Sequence, residues 1–187
     1  MKEQVREKGR KRVSEKVTVA KSDKMGLQAG IVGLSGKQIT IFLLQFLAAS
    51  ATFLALWYYI GEFYQGAIFF VAKRILLLMG YTPLQISAVN LSNAYLGNFN
   101  LVPLVALAIT TPGWRLRDRG EILAIGIPIL FLLHVLDLVA HFPLYFHGSG
   151  VAQFIVYSIG VGGVAVPFII WVALFWLKKN VPASIFG

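Results

Sequence analysis

Apolar stretches separated by polar or turn-forming segments run along most of this chain. A helix needs about 20 predominantly apolar residues to cross the hydrocarbon core of a bilayer. The pattern predicts spans at about 39–60, 99–111, 122–142 and 151–177, and the start of the short second span is open between Tyr95 and Phe99. We therefore expect an all-α integral membrane protein with about four transmembrane helices.

Residues 62–80 are also apolar, except for the adjacent cations Lys73 and Arg74. On insertion scales, a charge at the bilayer centre costs about 2.5–3.5 kcal/mol. A helix lying along the outer face avoids this cost, because both side chains then reach water. A re-entrant helix is the alternative. We therefore expect an outer-face amphipathic or re-entrant helix in addition to the spans.

The spans divide the chain into three parts. Residues 1–38 hold ten basic and four acidic residues, and we expect a basic, largely disordered cytoplasmic tail. A transmembrane helical domain covers residues 39–180. Residues 181–187 form a short cytoplasmic C-terminus.

Basic residues indicate which loops face the cytoplasm. The loop after the second span contains Arg115, Arg117 and Arg119, and Lys178 and Lys179 follow the last span. Both termini are therefore predicted to be cytoplasmic, in a multi-pass protein of the plasma membrane. The basic tail is either a topology signal or a surface for anionic lipids, so membrane lipids are expected partners.

Composition supports lipid as the solvent and excludes several kinds of chemistry. The chain is 57% hydrophobic and 13% charged, with a mean hydropathy of +0.73, whereas soluble domains average about 25% charged residues. It contains no cysteine, so thiolate catalysis and disulfides are excluded. The basic tail has no aromatic residues, which argues against nucleic acid as a partner.

Three ionisable residues of the third span have helical spacing. His134, Asp137 and His141 follow the pattern i, i+3, i+7 and should share one helix face. Ionisable groups inside a membrane usually face the protein interior or a wet cavity. They fit a metal site with His147 as a fourth ligand, a proton relay, or structural bonds within the bundle, with Lys73 or Arg74 as a cation for the carboxylate. The cofactor is left open between a metal ion and a bound lipid.

Polar residues also precede the second span. Tyr95, Asn98 and Asn100 enter it from the outer side. With His134 and Asp137 they are candidates for an outer-leaflet pocket. The alternative for the asparagines is ordinary capping of a helix N-terminus.

The order of elements resembles the exosortase/archaeosortase family of membrane-embedded processing enzymes. The stretches that carry the resemblance are Lys73–Tyr81, Tyr95-Leu96-Gly97, the apolar run to Pro112, and Gly126–Val139. In that family a Cys-x-Gly element, an Asn-x-x-Arg element and a later His lie on successive helices. Cys, Arg and His together cleave and transfer sorted surface proteins.

The catalytic positions of that family are changed in this chain. Tyr95 stands where the family has Cys, His134 where it has Asn, and Asp137 where it has Arg, and the fourth span has no His. A phenol is a poor replacement for a thiolate. The resemblance therefore implies a relative of that fold that has lost transpeptidase chemistry.

The leading hypothesis is a non-catalytic membrane subunit or scaffold with an exosortase-like fold. It would bind a partner protein or lipid through the outer-leaflet pocket and the glycine-rich face of the fourth span, where small residues permit close helix approach. Other membrane protein subunits are thus expected partners. The alternatives are a metal- or proton-handling component of a membrane enzyme and a divergent exosortase-like peptidase, so enzymatic activity stays open.

Overall fold

The computed structural model describes residues 35–89 and 98–180, and every regular element in these ranges is helical. The all-α prediction is confirmed. Most of the predicted tail, Tyr95 and residues 181–187 lie outside the described residues. A 3₁₀ turn at Asn98–Asn100 precedes the third of six described helices: α1 Gly36–Leu78, α2 Pro83–Ala88, α3 Leu101–Thr110, α4 Leu116–His147, α5 Gly150–Gly162 and α6 Val166–Asn180.

The first helix, α1, is continuous over 43 residues. The sequence predicted a span at 39–60 and a separate outer-face or re-entrant helix at 62–80, but the break between them is absent. Gly61 stands at the predicted boundary, and a lone helical glycine costs only about 1 kcal/mol relative to alanine. No proline interrupts the helix there. The predicted outer-face helix is therefore the second half of α1.

The chain divides into two units between Leu43 and Leu44, and the packing below lies within the second unit. The second half of α1 packs against the second half of α4. Tyr64 contacts His134, and Leu76, further along α1, shares a cluster with Phe142 of α4. Residue numbers rise together along both helices, so they run in the same direction. Four buried residues form the centre of this contact: Ile68, Ala72, Val135 and Leu138.

A second core joins α3, the first half of α4, and α6. Its buried members are Leu101, Leu104, Ala108, Ile122, Leu130 and Ile170. Gly126 of α4 makes the contact possible, because a Cβ there would lie 2.7 Å from Cδ2 of Leu104 and 3.4 Å from Cγ2 of Ile170. Three helices therefore meet closely at this position.

The fourth predicted span, 151–177, is two helices. α5 and α6 meet at a bend of 70° over residues 163–165. Gly163 is buried at the bend, where a Cβ would lie 2.5 Å from the carbonyl oxygen of Ile159 and 3.0 Å from Nδ2 of Asn100. Gly163 thus accommodates a sharp change of direction, whereas Gly160 and Gly162 have no atom within 4 Å of an added Cβ.

Length and apolarity identify fewer crossings than predicted. α1 and α4 are each long and apolar enough to cross a membrane, and α5 with α6 makes a third crossing if the bent pair is one span. α3 lies at the predicted second span but has only ten residues, or about 15 Å at 1.5 Å per residue. The described helices therefore include two or three candidate spans.

The close contact at Gly126 gives a stability prediction. Gly126→Val should lower the free energy of unfolding by about 1–3 kcal/mol, because extra methyl groups overfill a packed core. Gly120→Val, on the same helix with no atom within 4 Å of the added Cβ, should change it by less than about 0.5 kcal/mol. Thermal unfolding in detergent compares the two variants. Equal melting temperatures would contradict this account of the core.

Candidate functional site

A buried hydrogen bond joins the two longest helices. The Tyr64 hydroxyl on α1 lies 3.0 Å from Nδ1 of His134 on α4, and His134 is only 5% exposed. Rings of Trp57 and Phe131 contact Tyr64 at centroid distances of 5.4 and 5.9 Å. Buried polar atoms are rarely left without a partner. The tyrosine therefore lets an imidazole lie in an aromatic environment.

Asp137 and His141 form a second pair, one helical turn apart on α4. Nδ1 of His141 lies 2.7 Å from the carbonyl oxygen of Asp137 and 3.7 Å from its Oδ1. Since a carbonyl oxygen only accepts, this geometry places a proton on Nδ1 of His141. The carboxylate and imidazole are both half-buried. The pair is thus built within α4, and His141, rather than Lys73 or Arg74, faces the carboxylate.

The remaining candidate residues are dispersed. His147 is exposed at the end of α4, with its ring 6.1 Å from that of Tyr81. Lys73 and Arg74 are exposed, and the Arg74 guanidinium lies 5.3 Å from the centre of the Phe70 ring. The His147 and Arg74 side chains therefore each lie near an aromatic ring.

The asparagines of the predicted pocket lie at the start of α3. Asn98 begins the 3₁₀ turn, and Asn100 occupies the N-cap of α3 with no side-chain capping bond. The half-buried Asn100 amide faces the bend at Gly163. Asn100 is thus placed at the α5–α6 bend and not beside Asp137, while Tyr95 lies outside the described residues.

The four candidate metal ligands are not brought together. Among the residues that the structure describes, no three His, Asp or Glu side chains are placed to hold one ion. His134 and His141 are seven residues apart on one helix, which separates them by about 10 Å along the axis, whereas zinc binds imidazole nitrogen at about 2.0–2.1 Å. A shared helix face therefore does not make a shared metal site here.

A hydrogen bond between α6 and the end of α3 was not predicted from the sequence. Nε1 of Trp171 donates to Oγ1 of Thr111 over 2.8 Å, and Thr111 is fully buried. Tyr64 was missed as well. Each of these two hydrogen bonds joins residues that are distant in sequence. The only indication in the sequence is that each residue places a polar atom within or at the end of an apolar helix, where it needs a partner. Residue spacing predicts neighbours on one helix, so it could not predict these contacts between different helices.

The fold and site define a class of protein: an all-helical chain in which a polar pair is buried between the two helices that are each long and apolar enough to cross a membrane. Comparisons with known protein families, curated proteins and solved structures find no match to this chain.

The Tyr64–His134 bond can be tested by removing one oxygen atom. Tyr64→Phe should destabilise the protein by about 1–3 kcal/mol, because a buried ring nitrogen loses its phenol partner. Tyr58→Phe, at a highly exposed position on the same helix, should change stability by less than about 0.5 kcal/mol. Thermal unfolding in detergent measures both. If Tyr64→Phe is as stable as Tyr58→Phe, the bond does not contribute to the fold.

Proposed function

We propose that the chain is an integral membrane protein that acts as a non-catalytic subunit or scaffold and binds a partner membrane protein. The observation that carries this proposal is the exposed first half of α1, whose most apolar 18-residue window contains no buried residue. Exposed apolar patches of this extent mark membrane or protein contacts.

The surface of α1 has two sides within residues 44–60. One stripe is half-buried, and its Phe46 ring lies 6.2 Å from Phe168 of α6. The opposite side exposes large apolar residues, including Leu47 and Leu54. Hydrocarbon or another apolar helix would cover such a surface without unfavourable hydration. We propose this exposed side as the main contact, while of the glycine-rich segment Gly163 is buried at the bend and Gly160 is exposed.

The paired polar groups are compatible with a non-catalytic role. Tyr64 bonds to His134, and His141 bonds to the carbonyl of Asp137. These contacts satisfy ionisable groups that are otherwise costly in a membrane. The exosortase-like part of the proposal rests on the sequence resemblance alone. Replacement of the family's catalytic residue types agrees with a scaffold.

A proton-handling role is the second candidate, and the position of the two pairs favours it. His134 and Asp137 are three residues apart, so their side chains are neighbours on α4. Tyr64 of α1 and then His134, Asp137 and His141 of α4 therefore follow one another toward the exposed end of α4 at His147. Chains of Asp and His residues carry protons in membrane proteins. This arrangement supplies groups for a relay without any metal.

We further propose that both termini and the Arg115–Arg119 segment face the cytoplasm in the plasma membrane. The charge distribution supports this topology. It requires the segment containing α3 to return the chain to the cytoplasmic side.

The chain has no cysteine, so a single introduced cysteine is the one thiol that a maleimide can label, and its labelling reports the side of the membrane on which it lies. Gly120→Cys should react with an impermeant maleimide only after the membrane is opened, and Ser87→Cys should react in intact cells, since both positions are exposed in the fold. Labelling of both sites in intact cells would contradict a return crossing through α3.

The scaffold proposal predicts an assembly that depends on α1. Protein extracted from its own membrane in mild detergent should co-purify with a partner in fixed ratio. The double variant Leu47→Ala with Leu54→Ala should reduce the amount of recovered partner at least about tenfold. A tenfold loss corresponds to about 1.4 kcal/mol of binding free energy. The matched control is Ile169→Ala with Val172→Ala, which have similar exposure on α6. A monodisperse monomer from unaltered protein would contradict the proposal.

A further inference from the structure

Two arginines share one face at the start of α4. Arg115 precedes the helix and Arg119 lies four residues later, where the Arg119 N–H donates to the Arg115 carbonyl over 3.1 Å. Residues spaced i, i+4 are neighbours on a helix surface, and like charges at this spacing repel each other. An anion between the two guanidinium groups would relieve that repulsion.

The nearby carboxylates are engaged with other groups. Glu121 accepts from Nε of Arg117 over 3.0 Å, and Asp118 accepts the backbone N–H of Arg115 over 3.0 Å. Within the described part of the chain, neither Arg115 nor Arg119 forms an ion pair with a carboxylate. The two arginines therefore differ from Arg117, whose charge has a partner.

Nε of Arg119 adds an independent observation. This atom is shielded from solvent and has no hydrogen-bond partner in the part of the chain that the structure describes. A shielded donor without an acceptor is unfavourable, and more so when it carries charge. Rotation of the Arg119 side chain toward the surface would expose this donor to an oxygen acceptor from outside the chain.

An apolar surface adjoins these cations. Leu116, between the two arginines in sequence, is 85% exposed. Trp114 stacks on Phe175 of α6 with ring centroids 6.3 Å apart. Tryptophan and basic residues are enriched together where the bilayer meets water. A ligand that matches this surface combines a negative group with an apolar chain.

We infer that Arg115 and Arg119 bind the phosphate of an anionic phospholipid headgroup, with Leu116 against its acyl chain. Guanidinium groups match phosphate oxygens in pairs of parallel hydrogen bonds. Inorganic phosphate offers the same oxygens without the acyl chain, so it is the comparison ligand. The inference rests on the membrane placement proposed above.

Native mass spectrometry of the purified full chain in mild detergent tests this site. The protein is titrated with phosphatidylglycerol, with phosphatidylcholine of the same acyl chains, and with phosphatidylglycerol in the presence of inorganic phosphate. Arg119→Gln is compared with Arg117→Gln, which removes the same charge from an existing ion pair, and with Arg115→Gln combined with Arg119→Gln. Circular dichroism establishes that each variant is helical.

The unaltered chain and Arg117→Gln should retain phosphatidylglycerol in preference to phosphatidylcholine. Arg119→Gln should weaken phosphatidylglycerol binding about fivefold, and the double variant more, as expected for about 1 kcal/mol per basic residue at a membrane surface. Equal retention of the two lipids by the unaltered chain overturns the inference, as does equal weakening by Arg117→Gln and Arg119→Gln. Displacement by equimolar inorganic phosphate would assign the site to free phosphate instead.

These outcomes are separable from failure of the proposed function. A detergent-dependent helical protein that shows no preference for phosphatidylglycerol overturns the lipid site alone. A chain that is monodisperse in water without detergent overturns the membrane placement itself.

Discussion

The contact between the second half of α1 and α4 is the interaction that places α1 against the rest of the described fold. It brings together helices that are distant in sequence, and the Tyr64–His134 hydrogen bond lies at one end of its buried apolar residues. In hydrocarbon, polar groups must be satisfied within the protein. This bond allows a polar pair to stay between the helices, and it fixes which residues of α1 face α4.

That contact also explains why the buried residues of α1 lie in its second half. Its second half is used in packing, so the exposed side of its first half is left for lipid or a partner. In the proposed membrane placement, Arg115 and Arg119 lie at the membrane surface, where water and phosphate are both within reach. In the proposed arrangement, buried polar pairs stabilise the fold while recognition takes place on the outside of the bundle.

Periodicity and apolar length predicted the helical class, the position of α3 and most of α4. They did not predict the continuity of α1, because a single glycine at position 61 is compatible with both a helix and a break. They also missed the bend at Gly163, since close packing against Asn100 involves residues far apart in the chain. The i, i+3, i+7 spacing placed His134, Asp137 and His141 on one helix face, but spacing along one helix cannot supply the partner from another. Tyr64 was therefore found only in the structure, and the metal hypothesis was not supported.

The central claim is that hydrocarbon surrounds the exposed side of α1, and spin-label accessibility at Leu47→Cys in reconstituted bilayers tests it most directly. The label should collide frequently with oxygen, which dissolves in hydrocarbon, and rarely with a water-soluble nickel chelate. A label at Ser87→Cys should show the opposite preference. High nickel accessibility at position 47, equal to that at position 87, would contradict the account.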